Sequence, residues 1–159
     1  MEKFKKEIPF LAIALIPFVY LIYIWNRLPE KVPMHWNGAG EIDRYGDKTE
    51  LVGVLFLLVG INYFVFLIIP YVDPKQKFQN MGNKLNIMRM ILTLFMSALA
   101  LFILYSVEQK NSNPEFVFVI IGLLFAFLGN YFKTIKPNYF IGIRTPWTLE
   151  NEEVWKKHI

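Results

Sequence analysis

Hydrophobic residues are gathered into four long runs along the chain, and the charged residues lie between these runs. The runs cover residues 8–25, 51–69, 91–107 and 116–132, and none contains Asp, Glu, Lys or Arg. Each is close to the roughly 17–25 residues that a helix needs to cross a hydrocarbon core of about 30 Å. Soluble core helices are rarely apolar on every face. The pattern therefore predicts an all-α integral membrane protein with four transmembrane helices.

Composition supports a membrane protein, because 55% of the 159 residues are hydrophobic and 19% are charged. Soluble domains are about half apolar and about a quarter charged. Three lysines before the first run would also suit a signal peptide. However, no small-residue cleavage site follows, and the run ends in Tyr20, Tyr23 and Trp25. Such aromatic residues are typical of a membrane interface, so a retained first span is favoured.

The distribution of basic residues predicts the orientation. Twelve of the 17 Lys and Arg residues fall in the N-terminal tail, between the second and third runs, and after the fourth. The other side carries five, four of them in residues 26–50. The positive-inside rule thus predicts cytoplasmic termini and an outer loop at residues 26–50. Residues 1–159 are expected to form one membrane domain, with a first helix pair in residues 8–72 and a second in residues 86–159.

The sequence offers little for catalysis or cofactor binding. It has no cysteine and only two histidines, His35 and His158, neither in a metal-ligand spacing. We find no nucleotide-binding or hydrolase motif, so no cofactor and no metal are predicted. The net charge of +4 follows from the topology and does not indicate direct nucleic-acid binding. The runs contain no carboxylate, which argues against a proton-coupled transporter.

The predicted outer loop contains several residues that restrict the backbone. Pro29 and Pro33 favour extended geometry, and turn-forming residues follow up to Gly40. This composition predicts a compact loop. It suits either a structured hairpin lid that caps the bundle or a binding surface centred on His35 and Trp36.

The C-terminal segment is predicted to form an interfacial helix. Thr148 is a suitable N-cap, and acidic residues including Glu152 follow it, near the positive end of the helix dipole. One face would carry five residues at helical spacing: Trp147, Asn151, Val154, Trp155 and His158. The segment therefore predicts an amphipathic helix with both tryptophans directed toward the membrane.

The turn before this helix has its own candidate residues. Gly142 permits a backbone turn that other residues resist. Arg144, beside Thr145 and Pro146, could hold the turn against the bundle. It could equally bind a carboxylate, a lipid phosphate or a partner.

Polar residues within the runs are predicted to connect the helices. Asn62, Thr93 and Ser97 would form hydrogen bonds between neighbouring spans. Arg89, at the edge of the third run, would extend toward the interface.

Two segments resemble the signature of one bacterial family, the SdpI-type immunity and signalling proteins. The loop resembles a short domain of unknown function found near the N-terminus of many members, through Pro29, Pro33, His35, Gly40, Asp43 and Lys48. The C-terminal signature is matched by Gly129, Asn130, Asn138 and the run IGIRTPWTLENEEVW at residues 141–155, which includes Gly142, Arg144, Thr145, Pro146, Thr148 and Glu152. Members usually continue with two further transmembrane helices, so the resemblance implies that this chain lacks the last two spans.

The resemblance implies a non-enzymatic protein of the bacterial plasma membrane. Such a protein would protect the cell from a secreted peptide toxin and sequester a transcriptional repressor at the membrane. The candidate binding residues are His35, Trp36, Arg144, Trp147, Asn151 and Trp155. The alternative is a membrane-embedded enzyme, or a protein that handles lipids or small molecules, in which Arg144 holds a phosphate and His35 acts on an outer-leaflet group. The predicted topology places those two residues on opposite faces of the membrane, too far apart for one active site.

Overall fold

The computed structural model describes residues 2–39, 41–72, 82–109, 115–132, 134–139 and 142–158. Its elements are α1 (Glu2–Ile24), β1 (Lys31–Trp36), β2 (Ile42–Asp47), α2 (Glu50–Leu55), a π-helical turn (Phe56–Gly60), α3 (Ile61–Val72), α4 (Asn83–Glu108), α5 (Glu115–Phe132), α6 (Pro146–Glu150) and α7 (Glu152–His158).

Three helical stretches are long and apolar enough to cross a membrane: Lys5–Ile24, Glu50–Val72 and Asn83–Glu108. A fourth apolar helix, Phe116–Phe132, is shorter. All four hydrophobic runs are thus helical, and the architecture is that of a mostly helical membrane protein.

The seam between α1 and α4 is the most extensive helix–helix interface in the described part of the chain. On α1 the buried positions are Phe10, Ala14, Pro17, Leu21 and Ile24. On α4 they include Arg89, Thr93, Ser97, Ala100, Leu104 and Val107. Both rows recur every three or four residues, the spacing of helices that pack at small crossing angles.

Three contacts along this seam show that α1 and α4 run in the same direction. Arg89 pairs with Glu7 near the start of both helices. Ser97 follows, with its hydroxyl donating to the Ile13 carbonyl at 3.1 Å. Near the ends, the Tyr20 hydroxyl donates to Glu108 at 2.7 Å.

The Ser97 hydrogen bond compensates for a proline in α1. Pro17 has no N–H, so the carbonyl of Ile13, four residues earlier, has no partner within its own helix. The Ser97 hydroxyl supplies a donor to that carbonyl from α4. The prediction that Ser97 links two helices is confirmed.

The second hydrophobic run forms one continuous helical stretch, in which the π-helical turn separates α2 from α3. At this turn the Phe56 ring lies against Gly60. A Cβ added at Gly60 would come within 2.8 Å of the ring. The absence of a side chain at Gly60 therefore lets Phe56 occupy its position.

Strands β1 and β2 form an antiparallel hairpin within residues 26–50. Lys31 pairs with Asp47 and Val32 with Gly46, and the register shifts on either side of His35. At the turn, the Asn37 side-chain oxygen accepts hydrogen bonds from two backbone N–H groups, those of Ala39 and Glu41. The prediction of a compact loop is confirmed, while Gly40 lies outside the described residues.

Two hydrophobic clusters lie toward opposite ends of α4. One contains Leu104 and Val107 from the end of α4, together with Leu28 and Val32 from the hairpin region. The other joins Met88, from the start of α4, to Ile135 and Trp155 of the C-terminal segment. Because α4 has 26 residues and a helix rises about 1.5 Å per residue, its ends are roughly 39 Å apart.

Candidate functional site

The hairpin is fixed to the bundle by apolar side chains. Val32 is fully buried and Leu28 nearly so, and both pack in the cluster that includes Leu51 and Val107. Met34 packs partly against the same cluster. The hairpin therefore caps this end of the bundle, as the lid interpretation requires.

Three ion pairs lie along the edges of the hairpin. Lys31 lies 2.9 Å from Asp47, and this contact raises the pKa of Lys31 above its ordinary value. Lys48 lies 2.7 Å from Glu30. Arg44 contacts Glu50 at 3.2 Å. The pairs of Lys31 and Arg44 are exposed and contribute little stability, whereas the Lys48 side chain is partly buried.

A polar cluster closes the side of the bundle next to the hairpin. Arg27 donates to the Tyr23 hydroxyl at 3.0 Å and to Glu108 at 3.3 Å. The bond to Tyr23, followed by that to Glu108, raises the pKa of Arg27. Glu108 also accepts a hydrogen bond from the Tyr20 hydroxyl, so this carboxylate connects the ends of α1 and α4.

His35 and Trp36 occupy different environments although they are neighbours. The His35 side chain is 64% exposed, and its Nδ1 lies 2.6 Å from Asp43. This contact fixes the orientation of the ring through Nδ1, and Nε2 is the second nitrogen of the ring. Trp36 is partly buried, and its indole N–H has no hydrogen-bond partner among the described residues. The hairpin thus presents one oriented imidazole and one indole donor that is not satisfied.

The C-terminal segment begins with a capping box. Thr145 is the N-cap of α6, and its side-chain oxygen accepts from the backbone N–H of Thr148. The Thr148 hydroxyl accepts from the Thr145 N–H at 2.9 Å and donates to the Ile143 carbonyl at 2.7 Å. The prediction of Thr148 as the N-cap is wrong, because the helix begins one residue after Thr145, at Pro146, and Thr148 is fully buried inside the motif.

A break at Asn151 divides the predicted interfacial helix into α6 and α7. Asn151 has extended backbone geometry, and its side chain accepts from the N–H groups of Glu153 and Val154. Asn151 therefore ends one helix and caps the next. Glu152, in the first turn of α7, is exposed at the favourable end of the dipole.

The two tryptophans of the segment do not share a face. Trp155 is 1% exposed, and its indole N–H donates to the Ile135 carbonyl at 2.7 Å. Trp147 is 61% exposed. The prediction that both tryptophans point toward the membrane from one helix face is wrong for Trp155. The break at Asn151 puts Trp155 on a second helix, α7, where its side chain is buried.

The turn before α6 is held by backbone geometry and one arginine contact. Gly142 has φ of 98°, a conformation that side chains disfavour, as predicted. Arg144 is exposed and donates to the Tyr139 carbonyl at 2.9 Å. This contact supports the interpretation in which Arg144 holds the turn. It also leaves much of the guanidinium accessible.

The remaining signature residues separate into buried and exposed positions. Asn138 is fully buried, and its side chain donates to the Lys136 carbonyl at 3.0 Å. Gly129 and Asn130, near the end of α5, are exposed. In the hairpin, Pro29 and Pro33 are partly buried. In the described ranges, no three His, Cys, Asp or Glu residues come together in a way that could hold a metal ion.

The structure brings the predicted site residues into two groups. His35 and Trp36 lie with the hairpin at the end of α4 marked by Val107. Arg144, Trp147, Asn151 and Trp155 belong to the segment that packs at the end of α4 marked by Met88. One active site that uses both His35 and Arg144 is therefore incompatible with the fold.

A third polar group was not predicted. Arg89 is 6% exposed and binds Glu7 through both terminal nitrogens. Its guanidinium carbon lies 4.2 Å from the centre of the Phe10 ring. The prediction that Arg89 extends to the interface is therefore wrong. The sequence signal that was available is Glu7, one residue before the first hydrophobic run.

The chain matches two families. Residues 12–61 match a family described as "Domain of unknown function (DUF1648)". Residues 134–158 match the SdpI/YfhL protein family. The immunity protein SdpI of Bacillus subtilis is 27% identical over 154 residues, which cover 96% of this chain and 72% of the relative. These matches make the chain similar to SdpI-type proteins.

A second relative matches a smaller part of the chain. An uncharacterized protein of Archaeoglobus fulgidus is 39% identical over 59 residues, 37% of this chain and 31% of the relative. No solved structure matches. The first family match includes the hairpin together with parts of the helices on either side, and the second covers the C-terminal segment.

Proposed function

We propose that this protein is a membrane immunity protein and receptor, which protects a bacterium from a secreted peptide toxin. The observation that carries the proposal is the similarity to the immunity protein SdpI of Bacillus subtilis over 96% of the chain. The hairpin and the C-terminal segment lie toward opposite ends of α4, which supports the proposal. A receptor that signals needs one surface on each side of the membrane.

In the proposed topology, four helices cross the plasma membrane and both termini are cytoplasmic. The basic residues place the hairpin outside and the C-terminal segment inside. Helix α5 is the shortest span, at 18 residues, which is within the range that crosses a bilayer. The lipid bilayer is thus one proposed partner of the protein.

The proposed toxin-binding surface is the hairpin. His35 is exposed and oriented by Asp43, whereas the neighbouring Trp36 indole N–H is buried without a partner among the described residues and would have to become exposed to bind a peptide carbonyl. Lys31, Arg44 and Lys48 are already paired with acids, so their charges are largely neutralised. Recognition would depend on aromatic and hydrogen-bonding groups rather than on net charge.

The test is protection of cells that produce the matching toxin. We expect His35→Ala and Trp36→Ala to abolish protection while membrane abundance stays at the wild-type level. Lys31→Ala is the matched control, because it changes an exposed side chain of the same hairpin, and it should protect normally. Loss of abundance in both variants would support a purely structural lid and contradict toxin binding.

The proposed signalling surface is the cytoplasmic C-terminal segment, which would hold a transcriptional repressor at the membrane. Arg144 and Trp147 are exposed there, while Trp155 anchors the segment. Arg144→Lys keeps the charge but loses the planar guanidinium. We expect this substitution to weaken recruitment of the repressor more than protection, measured by membrane fractionation and toxin survival. A variant that recruits normally but fails to protect would contradict the division.

The proposal is non-enzymatic. A membrane enzyme that combines His35 with Arg144 would need these residues within one site, and the α4 residues that mark their two groups, Val107 and Met88, are roughly 28 Å apart along the helix. That separation favours a receptor over the alternative of a lipid- or small-molecule-handling enzyme.

A further inference from the structure

A buried polar cluster lies where α1, α3 and α4 meet, near the start of α4 and away from the hairpin. Arg89 from α4 binds Glu7 from α1, at 2.8 Å through Nη1 and at 2.5 Å through Nη2. Tyr63 from α3 donates to the same carboxylate at 3.4 Å. The Phe10 and Tyr63 rings lie 4.2 Å and 5.4 Å from the guanidinium carbon. The guanidinium is therefore enclosed by three helices.

The ion pair leaves one guanidinium nitrogen, Nε, without a partner among the described residues. Glu7 takes both terminal nitrogens, and the Arg89 Nε–H has no partner among the described residues although it is buried. A buried N–H without an acceptor is costly, especially in a region surrounded by lipid. An acceptor from outside the described protein would remove that cost.

Thr93 provides a second buried group of the same kind. It lies one helical turn after Arg89, on the same face of α4, and is fully buried. A helical Thr hydroxyl commonly donates to a carbonyl of the preceding turn. Here the hydroxyl has no partner in the described structure, so the prediction that Thr93 links helices is wrong. The Asn62 side-chain nitrogen, next to Tyr63 in sequence, is a third buried donor without a partner.

We infer that these donors form a binding site for an uncharged oxygen acceptor. Arg89 Nε, the Thr93 hydroxyl and Asn62 Nδ2 can all donate. An anion is disfavoured because Glu7 already neutralises the guanidinium. The acceptor would be a water molecule or the ester carbonyl of a lipid acyl chain.

The depth of the site allows both sources. Arg89 is six residues after Asn83, about 9 Å along the helix. With a core of about 30 Å centred on α4, Arg89 lies roughly 5 Å inside the hydrocarbon boundary. Lipid ester groups lie next to this boundary. Glu7 is 29% exposed, so the cluster is open on its side.

Solid-state NMR on the full chain in bilayers tests the site. Arg27, Arg44 and Arg144 are replaced by Lys, so that Arg89 gives the remaining guanidinium Nε signal of isotope-labelled protein. Magnetisation transfer to this nitrogen is measured from water, and dipolar coupling is measured to carbonyl-labelled ester lipids. If the triple variant does not fold, the Arg89 signal is identified as the one that disappears from wild-type spectra in Arg89→Lys.

We expect transfer from one of the two sources, and its loss in Thr93→Val. Coupling to the labelled carbonyl that disappears in diether lipids identifies the lipid ester. Transfer from water that persists in diether lipids identifies water. Absence of both signals, or transfer that is unchanged in Thr93→Val, overturns the site. Ser97→Ala is the matched control, because its hydroxyl is already bound to Ile13, and it should leave the transfer unchanged.

Discussion

The hairpin of residues 26–50 and the C-terminal segment of residues 134–158 both pack on α4, but they are attached differently. The hairpin buries aliphatic side chains such as Val32 in the larger cluster and surrounds them with exposed ion pairs. The C-terminal segment buries Ile135 and Trp155 in the smaller cluster, and the Trp155 indole N–H donates to the Ile135 carbonyl within the segment. Attachment thus involves many aliphatic residues at one end and few large residues at the other.

This difference suits two different tasks. A surface attached at many points keeps its shape when a ligand presses on it. A segment attached through few buried residues can be displaced by a few changes in its contacts. The neighbouring contact is Met88, which precedes Arg89 in sequence, so the anchor of the segment lies beside the buried ion pair of the bundle.

Trp155→Ala should have the largest effect on stability. Truncating a buried tryptophan costs about 3–5 kcal/mol, and here the Ile135 carbonyl also loses its donor. We expect a large fall in the apparent melting temperature of the purified protein, together with protease cleavage near residue 150. Trp147→Ala is the control, because that side chain is largely exposed and should change stability little. Equal losses in both variants would contradict an attachment through few large buried residues.

Glu7→Ala should have the next largest effect. Removing one partner of a buried ion pair typically costs about 3–5 kcal/mol, and Glu7 is itself partly exposed, which places the expected cost near the lower end. The measurement is denaturant-induced unfolding in detergent. Adding Arg89→Leu should recover part of the loss, since no uncompensated charge then remains. A double variant less stable than Glu7→Ala would show that Arg89 contributes mainly through its other contacts.

Much of the fold follows from the sequence because hydrophobic runs and turn residues are local signals. The four helices and the hairpin were predicted from them, and so was the turn at Gly142. The position of Trp155 could not be predicted in this way. Its burial depends on Met88 and Ile135, which are distant in sequence, and on the Asn151 side chain, which caps a new helix instead of continuing the old one.

The ion pair between Glu7 and Arg89 was missed for a related reason. Each residue lies at the end of a hydrophobic run, where a charge normally reaches water. Only the pairing of α1 with α4 in the same direction brings the two charges together. The contact between His35 and Asp43 is local by comparison, because the two residues lie on neighbouring strands of one hairpin.

The exposed pair of Lys31 and Asp47 should have the smallest effect, and its pH dependence can be predicted. The pKa of Lys31 is raised above its ordinary value of 10.5 by the hydrogen bond to Asp47. Its contribution is therefore fully present below that value and is lost as pH rises through the higher pKa of the folded protein. The difference in melting temperature between wild type and Lys31→Met should be small at neutral pH, decrease in high salt, and disappear at alkaline pH. A difference that grows with pH would contradict a stabilising charge pair, and the attachment of this end would then rest on packing alone.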